Sequence, residues 1–202
     1  MFDAWMRRKI DPPLERLGRS LSDNGITANR ITWVGFSVGM LVIPALGFQH
    51  YEAALACIIF NRLCDGLDGA VARVKGITDL GGYLDITLDF LFYSAVVFGF
   101  ALANPQENAL AAAFLIFSFV GTGASFLSFA IVAEKRGVST DIRGQKSIYY
   151  LGGLTEGTET IFLFLALCIW PQHFSLLAWV FGSLCWLTTS FRVHAAVSLF
   201  KD

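Results

Sequence analysis

The sequence predicts an all-α membrane protein, a polytopic bundle of six transmembrane helices with an N-terminal interfacial amphipathic helix. Of its 202 residues, 55% are hydrophobic and only 15% are charged, and the mean hydropathy is +0.59. Disordered chains and ordinary soluble domains do not have this composition. In addition, six segments reach the roughly 20 apolar residues that a transmembrane helix requires.

The segment before the first span has the pattern of a short amphipathic helix. Within Pro12–Ser22, Leu14, Leu17 and Leu21 recur at helical spacing, and the charged residues lie off that stripe. Proline favours the first turn of a helix. Such a helix either lies in the headgroup layer or packs on the protein's own cytoplasmic surface, and the sequence leaves both interpretations open.

Six apolar segments follow this helix, separated by short connections. They are Ile31–Gln49, Ala53–Arg73, Leu80–Ala103, Ala109–Ala133, Ile148–Trp170 and Phe174–Leu199. Because the connections leave no room for a second soluble domain, we divide the chain into a cytoplasmic N-terminal segment, residues 1–30, and one six-helix membrane domain, residues 31–202.

The basic residues predict the orientation. The connections FQHYE, NPQEN and PQHF contain no Lys or Arg, whereas the basic residues cluster before the first span, on the alternate connections and towards the C-terminus. Under the positive-inside rule the basic side is cytoplasmic. We therefore expect an integral protein of the bacterial inner membrane, with both termini and the active site on the cytoplasmic side.

Composition also argues against other classes of site. The net charge is −1, and no basic tract with interleaved aromatic residues appears, so nothing indicates nucleic-acid binding. The four cysteines lie in apolar segments without CxxC spacing, as is usual for small core residues. We expect neither disulfides nor a thiolate metal site.

Four aspartates lie in the second and third apolar segments, where a charge costs about 2.5–3.5 kcal/mol on insertion scales. Asp65 and Asp68 are three residues apart, and Asp85 and Asp89 are four apart, so each pair shares one helix face. A short connection near Lys75–Asp79 makes the two helices neighbours, and the four carboxylates can converge. Their oxygens favour Mg²⁺, Mn²⁺ or Ca²⁺ over zinc, and one or two such ions would neutralise them.

Small residues and one arginine accompany these carboxylates. Gly69 and Ala72 share the aspartate face, which leaves room for a bulky ligand, whereas we expect Gly66 and Ala70 to serve helix packing. Arg73 is placed to contact a phosphate oxygen, although it could also be a topogenic charge at the helix end. Carboxylates, a divalent metal and an arginine together suit the binding of a diphosphate and displacement at one of its phosphorus atoms.

These residues resemble the signature of the CDP-alcohol phosphotransferase (phosphatidyltransferase) family, Asp-x2-Asp-Gly-x2-Ala-Arg, a spacer, and Gly-x3-Asp-x3-Asp. The matching positions are Asp65, Asp68, Gly69, Ala72, Arg73, Gly81, Asp85 and Asp89. The spacer has seven residues, one fewer than is usual in the family, and the difference falls in the turn between the helices. The N-terminal helix, the six spans and the Asn29-x-x-Thr32 stretch are also similar to the family's layout.

The resemblance implies an enzyme of phospholipid biosynthesis that transfers a phosphatidyl group from a CDP-linked donor, CDP-diacylglycerol, to a small alcohol and releases CMP. It implies two Mg²⁺ or Mn²⁺ ions bound by the four aspartates, Asp65, Asp68, Asp85 and Asp89, with Asp89 also acting as general base. The implied nucleotide and diphosphate site comprises Asn29, Thr32, Gly69, Ala72 and Arg73. We further expect a homodimer surrounded by membrane lipid.

The sequence leaves the acceptor alcohol open. Arg143 and Lys146, between the fourth and fifth spans, could bind a phosphorylated acceptor or could only set the topology. Glu156 and Glu159 lie in apolar sequence, where they would suit a polyol or a cationic alcohol, or would pair with a buried basic residue. These four residues are the candidate acceptor residues.

An ion-coupled transporter is the alternative from a different functional class. Intramembrane carboxylates that bind Na⁺, H⁺ or divalent cations would explain the four aspartates. A transporter would not require Gly69, Ala72 and Arg73 beside them, and no inverted repeat is visible in the sequence.

Overall fold

A computed structural model describes residues 3–137 and 154–201, and within these residues every long element is a helix. The predicted all-α class is therefore confirmed. The helices are α1 (Asp3–Asp23), α2 (Ala28–Gly39), α3 (Val42–Gly47), α4 (Tyr51–Lys75), α5 (Asp79–Ala103), α6 (Pro105–Lys135), α7 (Gly157–Ile169) and α8 (Phe174–Phe200), with a 3-10 turn at Pro171–His173 before α8. Two of the candidate acceptor residues, Arg143 and Lys146, lie outside the described residues.

Four stretches of the described chain are long and apolar enough to cross a membrane. They are Ala28–Gly47, Asp79–Ala103, Pro105–Lys135 and Pro171–Phe200. The predicted count of six is not confirmed, for two different reasons. α4 has 25 residues but carries several charges, Arg62, Asp65 and Asp68 among them, which lower its hydropathy. α7 is apolar but has only 13 residues.

Helix α1 packs against α4. A Cβ at Gly18 would lie 2.8 Å from the Cβ of Ala70, and one at Gly66 would lie 2.7 Å from Cδ1 of Leu14. Gly66 and Ala70 therefore make the close helix contact that was predicted for them. Leu17, on the predicted apolar stripe, is 55% exposed. Of the leucine stripe, Leu14 therefore contacts α4, whereas Leu17 faces outward.

The start of α1 differs from the prediction. The helix begins at Asp3 and runs through Pro12 and Pro13, whereas the sequence pattern placed its start at Pro12. The residues before Pro12 contain no glycine and include alanine, methionine, arginine and lysine, which are strong helix formers. Proline was therefore a poor boundary marker here, although it usually interrupts a helix interior.

Two glycines one turn apart let α2 lie directly against α4. A Cβ at Gly35 would overlap the Cβ of Cys64, and one at Gly39 would be 2.9 Å from Nδ2 of Asn61. The carbonyl of Gly35 accepts a hydrogen bond from Nδ2 of Asn61 at 3.2 Å. Small residues commonly permit such close approach between membrane helices. The contact places α2 beside the aspartates of α4.

We expect Gly35→Ala to destabilise the protein by about 1–3 kcal/mol, the usual cost of overpacking. The added Cβ is fixed by the backbone, so no rotamer change can relieve its overlap with Cys64. Thermal unfolding of the purified protein measures the effect. The matched control is Gly47→Ala, whose Cβ would make an ordinary 3.5 Å contact with Leu102. Equal unfolding temperatures for the two variants would contradict the close packing of α2 on α4.

An aromatic core lies behind the aspartates and connects the later helices. Phe92 and Phe100 of α5, Phe164 of α7 and Phe174 of α8 are each less than 2% exposed. Tyr93 of α5 lies next to this core, with its ring centroid 5.9 Å from that of Phe164. The inner side of α5 is thus held by packing. This packing fixes the position of Asp89, which lies one turn before Phe92 and Tyr93.

Candidate functional site

A three-residue connection joins the helices that carry the aspartates. α4 ends at Lys75 and α5 begins at Asp79, so the short connection predicted near Lys75–Asp79 is present. Gly76 ends α4 with φ +105°, a conformation that residues with a Cβ seldom adopt. Thr78 caps α5, because its side-chain oxygen accepts a hydrogen bond from the N–H of Gly81 at 3.1 Å.

Three aspartates from the two helices come together. Carboxylate oxygens of Asp65, Asp68 and Asp85 all lie within 4.8 Å of one another. Asp68 is buried, Asp65 is half-buried and Asp85 is exposed, so the group extends from the interior to the surface. The hydroxyl of Thr32 donates to Oδ2 of Asp68 at 2.5 Å and so fixes one carboxylate oxygen.

This donor set fits a divalent metal ion. Three carboxylates held so close repel one another, and oxygen ligands without nitrogen or sulfur are the set that Mg²⁺ and Mn²⁺ prefer. The ligand atoms come from two helices joined by a short turn, so the folded chain brings them together without any further rearrangement. We call Asp65, Asp68 and Asp85 the carboxylate triad.

The fourth aspartate of the motif contacts protein groups. Oδ1 of Asp89 accepts a hydrogen bond from Nη2 of Arg62 at 2.6 Å. Its Oδ2 accepts one from the hydroxyl of Tyr93 at 3.2 Å. Arg62 also extends to the triad, with Nη1 at 3.4 Å from Oδ2 of Asp65. Asp89 is therefore connected to the triad through Arg62.

Sequence reasoning assigned no role to Arg62 or Tyr93. A signal for each was present, because side chains three or four residues apart on a helix are neighbours. Arg62 precedes Asp65 by three residues, and Tyr93 follows Asp89 by four. The contact between Arg62 and Asp89 joins two different helices, and no local spacing predicts it.

The residues predicted for the nucleotide and diphosphate lie around the aspartates. A Cβ at Gly69 would come within 4 Å of Arg73, with Nη1 at 3.5 Å, so the guanidinium lies over Gly69. Oδ1 of Asn29 lies 3.5 Å from where a Cβ of Gly81 would be. Ala72 is half-buried on the same helix face as the aspartates.

The four aspartates face one cleft between α2, α4 and α5. The four aspartates, Thr32 and Arg62 all line it, and its walls include Gly35, Phe36 and Leu88. The cleft therefore combines acidic side chains with an apolar wall. Gly69, Ala72, Arg73 and Asn29 are not among its lining residues.

Glu156 and Glu159 have a structural role at the start of α7. The side chain of Glu156 accepts from a backbone N–H of the first turn, and Oε2 of Glu159 accepts from the N–H of Glu156 at 3.2 Å. This reciprocal pair is a capping box. Between them, Gly157 lies close to the Asp89 side of the cleft, because a Cβ there would be 3.5 Å from the hydroxyl of Tyr93.

Sequence relatives support the family resemblance. The family model for CDP-alcohol phosphatidyltransferase matches residues 24–193. The chain is 53% identical over 202 residues to the inner membrane protein YnjF of Escherichia coli strain K12, which covers 100% of this chain and 98% of that protein. It is 38% identical over 100 residues to archaetidylinositol phosphate synthase of Pyrococcus horikoshii, covering 49% of this chain and 53% of the relative.

Solved structures share the fold. The phosphatidylinositol phosphate synthase PgsA1 of Mycobacterium tuberculosis with CDP-DAG bound has a TM-score of 0.74 and 22% identity, covering 91% of this chain and 93% of that chain. The same enzyme in complex with manganese and citrate has a TM-score of 0.70, also at 22% identity, and covers 90% of this chain and 87% of that chain.

The apolar helices and the relative from Escherichia coli support an integral inner membrane protein. The transporter alternative does not agree with this match, because the family model that covers residues 24–193 is that of an enzyme, CDP-alcohol phosphatidyltransferase. Since the family model spans most of the sequence, the predicted resemblance is confirmed, and the chain belongs to the CDP-alcohol phosphatidyltransferase family of enzymes.

Proposed function

We propose that this enzyme transfers the phosphatidyl group of CDP-diacylglycerol to an alcohol, in a reaction that depends on Mg²⁺ or Mn²⁺ and releases CMP. The observation that carries the proposal is the carboxylate triad in a cleft that also contains Asp89. The PgsA1 structures, one with CDP-DAG bound and one with manganese, support both the donor and the metal.

The triad is the proposed metal site. Asp65, Asp68 and Asp85 would hold the ion, which when bound would supply positive charge to the diphosphate and to the departing CMP. Thr32 supports this site by donating to Asp68, which leaves the other carboxylate oxygen of that residue for the ion. As a ligand role for Asp89 is proposed only by resemblance, its contacts with Arg62 and Tyr93 are considered separately below.

We propose that the donor's nucleotide and diphosphate lie beside the triad. Gly69 has no side chain, and the guanidinium of Arg73 lies over it, where it can pair with a diphosphate oxygen. Ala72 shares that face, and Asn29 lies near Gly81 at the start of α5. The diacylglycerol chains would extend from there into the surrounding lipid.

Asp89 is the proposed general base. Its two oxygens are oriented by Arg62 and Tyr93, at 2.6 Å and 3.2 Å. Each carboxylate oxygen keeps a lone pair beyond the hydrogen bond it already accepts. In the reaction the acceptor oxygen bonds to the β-phosphorus, the bond between that phosphorus and the oxygen of CMP breaks, and the hydroxyl proton passes to Asp89.

The acceptor would approach Asp89 from the side of α7, since Gly157 lies close to the hydroxyl of Tyr93. Arg143 and Lys146 remain proposed contacts for a phosphorylated acceptor. Glu156 and Glu159 remain proposed contacts for a polyol or a cationic alcohol, although their capping box already uses part of their hydrogen-bonding capacity. Inositol phosphate is the first acceptor to test, because two relatives are named as synthases of inositol phosphate lipids.

The membrane arrangement completes the proposal. We propose that α4 and the segment ending with α7 also cross the bilayer, so that residues 31–202 form one domain of six spans with both termini in the cytoplasm. This follows from the distribution of lysine and arginine. Residues 1–30 would lie on the cytoplasmic side with α1 at the headgroup layer, and two copies would associate in the lipid.

Purified protein incubated with CDP-diacylglycerol, Mn²⁺ and a panel of alcohols tests the function. The panel should include inositol phosphate, glycerol phosphate, serine, inositol and glycerol, with CMP measured by chromatography and lipid products by mass. We expect one alcohol to give a new lipid in equal amount to the CMP released. Absence of CMP with every alcohol, from a folded protein, would contradict the proposal.

A further inference from the structure

A positive charge is built into the carboxylate site. The side chain of Arg62 is only 17% exposed, and it makes ion pairs with Asp65 on its own helix and Asp89 on α5. The shorter pair is the one with Asp89, at 2.6 Å. The guanidinium therefore stands between the triad and the fourth aspartate.

Arg62 is also held by groups outside the aspartate cluster. Its Nε and Nη2 donate to Oδ1 of Asn61 at 2.9 Å and 2.5 Å, and the buried Asn61 donates in turn to the carbonyl of Gly35. The guanidinium carbon lies 5.3 Å from the ring centroid of Phe92 and 5.5 Å from that of Tyr93. Hydrogen bonds and cation–π contacts thus fix its position independently of the carboxylates.

A metal ion that used Asp89 as a ligand would meet this guanidinium. The ion would have to bind the carboxylate whose Oδ1 lies 2.6 Å from Nη2 of Arg62, with Tyr93 on the other oxygen. Like charges at such separations repel strongly in a partly buried site. Displacing Arg62 would also break its bonds to Asn61 and its ring contacts. Within the triad, Arg62 approaches Asp65 at the longer distance of 3.4 Å, and the printed partner of Asp68 is the neutral Thr32.

We propose that Arg62 takes the place on Asp89 that the family resemblance assigns to a second metal ion, so that the substrate-free protein binds one divalent ion, at Asp65, Asp68 and Asp85. The proposal rests on the proposed function in that it takes the triad as the metal site. Arg62 is then a positioning residue that orients Asp89 together with Tyr93.

Counting bound Mn²⁺ tests this inference without any turnover. The full-length protein, purified in detergent and free of substrate, is dialysed against Mn²⁺, and the bound ion is quantified by mass spectrometry. Electron paramagnetic resonance distinguishes an isolated Mn²⁺ from a spin-coupled pair. We expect one ion per chain with the spectrum of an isolated ion. Arg62→Met should admit a second ion and produce the coupled spectrum, whereas Arg62→Lys, which keeps the charge, should still bind one.

Arg19→Met is the matched control, because it removes an exposed arginine of α1 and should leave the count at one. If Arg62→Met does not fold, the number of Mn²⁺ ions bound by the wild-type protein and by Asp89→Asn still tests the inference. Both proteins should bind one ion per chain. A wild-type count of two that falls to one in Asp89→Asn would overturn the inference and leave the proposed function standing. A count of zero would overturn the inference and the proposed metal dependence together.

Discussion

Replacing Asp89 with asparagine should lower the rate of CMP release by about 10²–10⁴-fold, the contribution that general acid–base catalysis typically makes. Asparagine has nearly the shape of aspartate, and its amide oxygen can still accept a hydrogen bond from Arg62 or Tyr93. It cannot take the proton of the acceptor hydroxyl. The helix packing around α5 should therefore survive while the chemical step fails. Initial rates of CMP release at saturating CDP-diacylglycerol measure the effect.

Asp79→Asn is the control for this prediction. Asp79 lies on the same helix, is exposed and stands outside the cleft, so its replacement should leave the rate unchanged. Thermal unfolding of both variants, followed alongside the rates, separates a catalytic defect from a folding defect. Wild-type turnover by a correctly folded Asp89→Asn variant would exclude Asp89 as the base and direct attention to another group near the acceptor.

Local spacing was enough to predict the centre of the site. Asp65 and Asp68 share a face because helical periodicity is local, and the three-residue connection after Lys75 leaves little freedom for where α5 can begin. The apolar run predicted the boundaries of α5 within one residue, and in the structure Thr78 caps the start of this helix through a contact spanning only three residues. Local patterns were thus sufficient wherever the determining contacts were themselves local.

Local sequence patterns did not predict the contacts between helices. Nothing in the spacing of Arg62 and Asp89, which are 27 residues apart, indicates that they form an ion pair. The close approach of Gly35 to α4 likewise depends on which helices are neighbours, and many glycines in membrane helices have no such contact. The side chain of Asn61 could be interpreted only once Gly35 and Arg62 were known to lie on either side of it.

The two glutamates show how the position of a helix start changes the interpretation of a residue. The fifth span was predicted to begin at Ile148, which lies outside the described residues, and Glu156 and Glu159 were placed within its apolar sequence. In the structure the helix begins at Gly157, and the same residues form its capping box. Glu159 follows Glu156 by the three residues of a capping box, but glutamate is not one of the residues usually preferred at the N-cap. The sequence signal for the start of α7 was therefore weak, and hydropathy did not reveal the capping role of the two glutamates.

Removal of divalent metal should abolish CMP release, with a loss of about 10³-fold or more, because metal stabilisation of a transferring phosphoryl group is worth several kcal/mol. Without an ion, three carboxylates within 4.8 Å of one another would repel the donor's diphosphate as well as each other. Dialysis against a chelator followed by addition of Mn²⁺ or Mg²⁺ should restore the full rate. Zn²⁺ should restore less, since the triad offers no nitrogen or sulfur ligand.

Asp68→Asn tests whether the metal required for CMP release binds at the carboxylate triad. It removes one ligand charge while keeping an oxygen that can accept from Thr32, so the Mn²⁺ concentration for half-maximal rate should rise by about tenfold or more, as one lost charge contact in a partly buried site implies. Asp79→Asn should leave that concentration unchanged. Full activity in the presence of the chelator, with metal content verified as negligible, would show that the triad binds no essential ion.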